Sequence, residues 1–304
     1  MESAISVNDL FVSYKNKKGQ KVEAVRGLSF EVGKGEVVGF LGPNGAGKSS
    51  TLKALMGFIE PDSGSISVFG KAHGTAASRS RIGYLPEVAL YYPYLTPLET
   101  LRLYGELQGL RGKSLRKESE YLLEMVGLNQ AMKKQNRQMS KGMLQRVGIA
   151  QSMLGNPELL VLDEVTSGLD PVGRKELRDM LKQKQKQYGT TLFFSSHELA
   201  EVEMLCDRIL LIHQGKFIEE RNVTALKDEL RHYEIKFRGD INLIGLAETF
   251  TLLGEDVIRA TFETKPQLML AIEKVQSSSS ELIDIVATEG SLEDYFIDTI
   301  KRAA

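Results

Sequence analysis

The apolar residues of this chain follow two alternating patterns, one typical of strands and one typical of helices. The run 36–41 is continuously apolar and ends in Gly-Pro-Asn-Gly, as expected of a buried strand that leads into a turn. A helix is predicted directly after that turn, over residues 49–58. The strands predicted in this first part of the chain are 5–14, 21–32, 36–41, 66–69 and 81–85.

Helical spacing dominates from residue 96 to residue 154. Thr96 and Glu99 form a predicted capping box with Pro97 at the first helical position, and further helices are expected over 114–127 and 142–154. Strands and helices then alternate again, with strands at 159–162, 191–195, 208–213 and 216–220 and helices at 172–188 and 198–206. This order predicts an α/β fold, in which a mostly parallel sheet carries an inserted helical subdomain at about 96–155.

The pattern changes after about residue 222. A short helix over 223–230 is followed by strands at 233–237, 257–262 and 282–287 and by helices at 265–275 and 291–301. We therefore predict two domains, a larger one over residues 1–221 and a small α+β domain over residues 222–304.

Composition narrows the function classes. The 304 residues carry a net charge of −1, so no overall basic field attracts nucleic acid or anionic lipid. The only cysteine, Cys206, follows apolar residues at helical spacing and is expected to be a core residue. The first residues lack the basic region and apolar run of a signal peptide. The longest apolar runs are far below the ~20 residues that span a bilayer, so any membrane path is expected from another chain.

Residues 42–49 match the phosphate-loop pattern G-x-x-x-x-G-K-[ST]. Glycines let successive backbone N–H groups turn inward around phosphates, and the following helix directs its positive N-terminal end at the same anion. Lys48 is expected to reach the β- and γ-phosphates, and the Ser49 hydroxyl to ligate Mg²⁺. The predicted ATP contacts of this segment are Gly42, Pro43, Asn44, Gly45, Ala46, Gly47, Lys48, Ser49 and Ser50.

Two acidic residues follow the apolar run 159–162. A buried strand would bring Asp163 to the rim of the sheet, where it can hold Mg²⁺, and would place Glu164 to orient or deprotonate the attacking water. Two acids after a strand also occur simply as a helix cap. The phosphate loop upstream favours the catalytic interpretation.

Three further motifs stand in order along the chain: Met-Ser-Lys-Gly-Met at 139–143, Ser-Gly-Leu-Asp at 167–170 and Ser-Ser-His-Glu at 195–198. With the phosphate loop and the acidic pair, they resemble the ATP-binding subunits of ABC transporters over residues 3–221. The resemblance implies that 139–143 is the signature motif, 167–170 the D-loop, His197 the switch histidine and Glu164 the catalytic glutamate. It also implies a nucleotide contact from Asp170. The signature and the phosphate loop face away from each other within one chain of this family, so the contacts from Ser140, Lys141 and Gly142 are expected to reach the nucleotide of a second chain. Tyr14 matches the position that stacks on adenine, although an aromatic residue at a strand end is often a core residue.

The chain departs from the family pattern at three positions. Lys141 replaces the first of the paired glycines of the signature, and Met143 replaces its glutamine. Glu87 replaces the coupling-loop glutamine, and its carboxylate is still expected to accept hydrogen bonds and approach Mg²⁺. The pairing of Leu-Pro-Glu at 85–87 with this signature is similar to the exporter branch that handles drugs, antibiotics, polysaccharides or lipids.

The resemblance implies ATP and Mg²⁺ as cofactors, a separate membrane-embedded permease, and a second ATP-binding subunit, with an identical chain favoured. It implies a peripheral location on the cytoplasmic face of the cell membrane. One alternative is a soluble ABC ATPase acting on nucleic acid or ribosomes. The chain has a single ATPase domain, no long heptads and no basic block, so no nucleic-acid partner is expected. A non-hydrolysing regulatory subunit is the other alternative, which the presence of Glu164 and His197 argues against.

Overall fold

The computed structural model describes residues 2–15, 19–239, 247, 249–253, 256–278 and 280–303. They form two compact units that divide between Arg221 and Asn222. No helix in these ranges combines the length and the apolar character needed to cross a bilayer.

The first unit is built from ten strands and seven helices within the ranges described. The strands are β1 Ser3–Lys15, β2 Lys21–Gly33, β3 Val37–Leu41, β4 Ser63–Val68, β5 Lys71–Ala72, β6 Ile82–Leu85, β7 Leu159–Asp163, β8 Thr191–Ser196, β9 Arg208–His213 and β10 Lys216–Asn222. The helices are α1 Lys48–Leu55, α2 Ala76–Arg79, α3 Pro97–Leu107, α4 Gly112–Met125, α5 Lys141–Ser152, α6 Pro171–Tyr188 and α7 Leu199–Leu205.

The central sheet has the strand order β10-β9-β3-β8-β7-β6. The pairs β9–β3, β3–β8, β8–β7 and β7–β6 are parallel. Every residue of β3, β7 and β8 is buried, which explains the unbroken apolar stretches 159–162 and 192–194 and the apolar character of β3. Asp163 is paired in register with Ser195, and Leu41 with Ser196, so the carboxyl ends of the three strands lie side by side.

An antiparallel sheet of order β2-β1-β4-β5 shares its core with the central sheet. The rings of Phe30, Phe40 and Phe193 pack together with centroids 5.4 to 5.6 Å apart, which joins β2 to β3 and β8. Helices α3, α4 and α5 form the helical subdomain, and Thr96 and Glu99 make both hydrogen bonds of the predicted capping box. Cys206 is buried as expected, and burial raises the pKa of its thiol.

The second unit has an antiparallel sheet of order β12-β13-β11-β14. Helix α9 covers one face of this sheet, where Leu268, Ala271 and Val275 pack with Ile235 and Phe262 of the strands. The elements are α8 Val223–Glu229, β11 Arg231–Arg238, β12 Thr249–Leu252, β13 Val257–Phe262, α9 Lys265–Ser277, β14 Glu281–Glu289 and α10 Leu292–Ala303. This unit is therefore an α+β fold with its own small core.

Several boundaries differ from the sequence prediction for local reasons. Helix α1 ends at Leu55, before the predicted residue 58, because Gly57 takes a left-handed conformation with φ 69°. The fourth strand ends at Val68 because Phe69 turns with φ 48°. Three elements were not predicted: β5 and α2 have only two and four residues, and all four residues of β12 are exposed, so none of them carries a clear apolar period.

Candidate functional site

The phosphate-loop segment connects β3 to α1 as the sequence predicts. Gly47 precedes the helix with φ 107°, and a Cβ there would lie 2.5 Å from the Ala24 carbonyl oxygen, so this position requires glycine. The Lys48 side chain is buried, and its Nζ donates to the carbonyl oxygens of Gly42 at 2.6 Å and Pro43 at 3.3 Å. The loop thus places a buried cation and a helix N-terminus at one point, which suits a phosphate chain.

The acidic pair lies at the end of β7, beside this loop. Asp163 is 3% exposed, and its Oδ1 is 3.4 Å from Ser49 Oγ and 2.5 Å from Ser195 Oγ. A carboxylate and a hydroxyl are the oxygen ligands that Mg²⁺ takes together with substrate phosphates, so Asp163 and Ser49 fit the predicted metal. In the part of the chain that the structure describes, no three His, Cys, Asp or Glu side chains cluster as a metal site of their own. The donor set therefore suits a metal that arrives with a phosphate ligand.

Glu164 is held between two basic groups. Its Oε1 lies 3.5 Å from Lys48 Nζ, and its Oε2 lies 2.7 Å from His197 Nδ1. The carboxylate is largely buried, whereas the imidazole is 47% exposed. Glu164 has φ 49°, a left-handed conformation that costs a side-chain-bearing residue about 1–3 kcal/mol. The fold therefore holds this carboxylate beside the phosphate loop in a backbone conformation that lowers the stability of the folded state.

The segment after β8, which carries His197, is tied to α6. The Arg174 guanidinium pairs with the carboxylate of Glu198, and both Arg174 and Arg178 pair with Glu201, at 3.5 and 3.1 Å. Glu201 is 5% exposed, so the two arginines compensate a buried charge. These ion pairs fix the start of α7 and, with it, the position of the preceding histidine.

The phosphate loop, Glu164 and His197 line one cavity of about 500 Å³. This volume lies within the range of small-molecule sites. Its lining is Tyr14, Ala24, Asn44, Gly45, Ala46, Gly47, Lys48, Ser49, Ser50, Glu87, Glu164, Ser167 and His197. The structure thus brings together the predicted adenine-stacking tyrosine, most of the phosphate loop, the coupling-loop glutamate, the predicted base and the switch histidine. Tyr14 is 38% exposed, so it is not a core residue.

Three groups near the site escaped sequence reasoning. Ala24 lines the cavity, yet nothing in its local sequence marks it as a contact. Ser195 makes hydrogen bonds to both acidic residues, whereas the sequence marks it only as part of the histidine motif. Tyr84 was predicted only as part of a strand, and burial, with a smaller contribution from the charge of Asp163, raises its pKa to about 12.

The predicted signature contacts are not in this cavity. Ser140 accepts a hydrogen bond from the Met143 N–H at 3.2 Å and begins α5. A Cβ on Gly142 would lie 3.0 Å from the Gly168 carbonyl oxygen, and a Cβ on Gly168 would lie 3.1 Å from the Lys141 side chain. The signature therefore packs against the D-loop of its own chain, away from the phosphate loop.

Asp170 is likewise absent from the cavity lining. Its Oδ1 accepts a hydrogen bond from the Gly173 N–H at 2.9 Å, so this carboxylate caps α6. The predicted nucleotide contact of Asp170 stays a prediction. An aspartate can cap a helix as well as contact a nucleotide, so the residue type alone does not distinguish the two roles.

The coupling-loop region presents an exposed apolar face. Val88, Leu90, Tyr92 and Tyr94 are 64 to 84% exposed, and we call these four residues the loop face. Asn136 anchors the segment, because its backbone N–H and side-chain amide donate to the carbonyl oxygens of Leu95 and Tyr92. The loop face is therefore held by the helical subdomain and not buried in it.

The chain is similar to known ATP-binding proteins over most of its length. The family model described as ABC transporter matches residues 25–167. The bacitracin transport ATP-binding protein BcrA of Bacillus licheniformis is 36% identical, over 99% of this chain and 98% of that protein. The linearmycin resistance ATP-binding protein LnrL of Bacillus subtilis is 34% identical, over 91% and 88% of the two chains.

Among solved structures, the dimeric ATP-binding cassette MJ0796 bound to ADP and phosphate superposes with a TM-score of 0.67. It covers 72% of this chain and 98% of its own, and at 23% identity it shows the fold alone. The α/β architecture predicted from the sequence is confirmed by this likeness. This likeness and the similarity to the two Bacillus proteins over most of their length show that the chain belongs to the ABC transporter family, as an ATP-binding subunit.

Proposed function

We propose that this subunit hydrolyses Mg²⁺-ATP and that hydrolysis powers export by a separate membrane permease. One observation carries the proposal: the Glu164 carboxylate lies between Lys48 Nζ and His197 Nδ1 at the mouth of the phosphate loop. A base so placed can accept the proton of a water that attacks the γ-phosphate, while the imidazole holds its second oxygen.

The chain's own groups divide the work of hydrolysis. The loop N–H groups and Lys48 bind the phosphates, and Tyr14 stacks on the adenine ring. Bound Mg²⁺ would neutralise charge on the phosphates, with Ser49, Asp163 and the Glu87 carboxylate as its oxygen ligands. The ion pairs of Glu198 and Glu201 with α6 hold the histidine loop during turnover.

The working form is proposed to be a head-to-tail pair of identical chains. Ser140 at the N-terminus of α5 offers an anion site that faces no phosphate within its own chain. A second chain related by a two-fold axis would bring its Ser140, Lys141 and Gly142 to the γ-phosphate bound by the first. The dimeric form of the MJ0796 cassette supports the association of two chains.

The permease is proposed to dock on the loop face. Two tyrosines, a leucine and a valine form an exposed apolar surface, and exposed apolar surfaces of this kind mark interaction sites. This docking would hold the subunit peripherally at the cytoplasmic face of the membrane. The names of the bacitracin and linearmycin relatives favour export of an antibiotic-like compound over an activity on nucleic acid or ribosomes.

The test is Glu164→Gln in the purified chain. The amide cannot take a proton, so ATP turnover is expected to fall by about 10²–10⁴-fold while Mg²⁺-ATP binding persists. Glu120→Gln on α4 removes an exposed carboxylate outside the site and should change neither measurement. Hydrolysis by Glu164→Gln at the wild-type rate would show that Glu164 is not the base and would favour a regulatory subunit.

A further inference from the structure

Ser195 lies between the two acidic residues and stands two positions before His197 in the same motif. We propose that Ser195 is a positioning residue that fixes both Asp163 and Glu164 and thereby sets the response of this site to Mg²⁺. This inference rests on the proposed function for its catalytic part, whereas its metal-binding part is testable without turnover.

The position follows from strand order. Strands β7 and β8 are parallel neighbours, and their register pairs Asp163 with Ser195 at the carboxyl end of the sheet. Ser195 is 0% exposed, so its hydroxyl has no solvent to bond and must be satisfied by protein groups. The only groups that the structure gives this hydroxyl, among the described residues, belong to the two acidic residues.

The hydrogen bonds of this hydroxyl can be oriented without ambiguity. An ionised carboxylate only accepts, so Ser195 Oγ donates its proton to Asp163 Oδ1, at 2.5 Å. A backbone N–H only donates, so Ser195 Oγ accepts from the Glu164 amide, at 3.2 Å. One buried hydroxyl thus uses its proton on the predicted metal ligand and its lone pair on the backbone of the predicted base.

The bond to Asp163 also bears on a second metal ligand. The Ser49 hydroxyl donates to the same Oδ1 at 3.4 Å, a longer bond than the one from Ser195 Oγ. A hydroxyl that donates its proton to a carboxylate keeps its lone pairs for a metal, so Asp163 aligns Ser49 as well. Loss of Ser195 removes the shorter of the two bonds to this oxygen, and it should therefore loosen Asp163 and weaken Mg²⁺ binding.

The bond to Glu164 supports a strained backbone. Glu164 has φ 49°, and its N–H is shared between Ser195 Oγ and the Ser195 carbonyl oxygen, the latter at 3.3 Å. The main-chain bond survives any substitution of the Ser195 side chain, so the sheet is expected to fold. Removal of the hydroxyl removes one of two acceptors that hold the strained amide, so the Glu164 carboxylate should be held less firmly.

The experiment compares Ser195→Ala, Ser195→Cys and Thr191→Val in the full chain. Thr191 starts the same strand, about 13 Å away, and its buried hydroxyl accepts from the Gly35 N–H, so its replacement by valine also removes one buried hydrogen bond. Binding of a fluorescent ATP analogue is measured in EDTA and over a Mg²⁺ titration, with kcat measured over the same titration. Thermal unfolding reports the stability of each variant.

Ser195→Ala is expected to bind the analogue in EDTA as the wild type does. Its half-saturating Mg²⁺ concentration should rise by roughly 10- to 100-fold, the loss expected for one hydrogen bond to a charged group, and its kcat should fall. Ser195→Cys fills the position with a somewhat larger sulfur that is only a weak donor, so it should show the same defect. Thr191→Val should lower the unfolding midpoint while leaving the Mg²⁺ response within about twofold of wild type.

Two results would overturn the proposal. An unchanged Mg²⁺ response in Ser195→Ala would show that Asp163 needs no help from this hydroxyl. A wild-type response in Ser195→Cys beside a defect in Ser195→Ala would assign the effect to lost packing. If the wild type binds Mg²⁺-ATP without turnover, the proposed hydrolysis fails, and the binding titration still decides the role of Ser195.

Discussion

The two halves of the predicted ATP site differ in what surrounds them. Around the phosphate loop, residues from six places in the sequence converge on one cavity, and Glu164 contacts both Lys48 and His197 directly. Around the signature, Ser140 caps its own helix, and Gly142 packs against the D-loop. The first half brings several buried charged groups together, whereas the second presents a helix N-terminus with Lys141 beside it.

The surroundings of a motif residue indicate whether its own chain already positions it for chemistry. A residue held by several buried partners is already positioned by its own fold, as Glu164 is. A residue that acts as a helix cap in its own chain, as Ser140 does, can still bind an anion that another chain supplies. Substitutions in the first half should therefore affect binding and chemistry in the isolated chain, and substitutions in the second should affect association.

The largest effect is expected from Lys48→Ala. This change removes the buried cation that the loop places beside the phosphates, so ATP binding should weaken by at least about 100-fold, the loss of two or more charge-assisted hydrogen bonds. Titration with a fluorescent ATP analogue measures it. Lys53→Ala, an exposed lysine on the same helix, is the matched control and should bind as wild type. Equal weakening in both variants would contradict a specific role for Lys48.

Much of the phosphate-loop half was predictable because its signals are local. A buried strand, a glycine-rich turn and a helix are adjacent in sequence, and each has its own pattern. Ser195 was missed because its role depends on β8 lying beside β7, and the order of parallel strands is not written in the apolar period. The same holds for Ala24, which reaches the cavity from a strand of the other sheet.

The signature half was predictable only as a motif. The sequence correctly begins a helix near Ser140, but no local pattern shows which surface faces a phosphate. Asp170 illustrates the problem, because an aspartate before Pro171 is also a good helix cap, and the structure uses it as one. Residues of this kind need a partner chain before their role can be assigned.

A smaller effect, on association alone, is expected from Ser140→Arg in the Glu164→Gln background. Glu164→Gln with Mg²⁺-ATP should accumulate as a dimer, because the bound γ-phosphate bridges the two chains and is not removed. The bulky arginine at the N-terminus of α5 should clash with the opposing chain and return the protein to a monomer that still binds ATP through its own phosphate loop. Light scattering with and without ATP measures this.

The matched control for that change is Ser114→Arg, an exposed serine near the start of α4. It adds the same side chain to the same subdomain and should leave the dimer intact. A protein that binds Mg²⁺-ATP in the Glu164→Gln form and stays monomeric at tens of micromolar would contradict dimerisation by nucleotide alone. The permease would then have to hold the two subunits together.

The smallest effect on the ATP site is expected from removal of the second unit. None of the described residues after Arg221 lines the cavity, and the first unit has a core of its own that includes Phe40, Leu52 and Phe193. A chain ending at Arg221 should therefore bind Mg²⁺-ATP within about twofold of the full chain, because it keeps every residue assigned to the nucleotide site. Circular dichroism and thermal unfolding establish that the shortened chain is folded before its affinity is compared. A folded chain that has lost ATP binding would show that the second unit contributes to the nucleotide site, and the separation of the two domains proposed here would then be wrong.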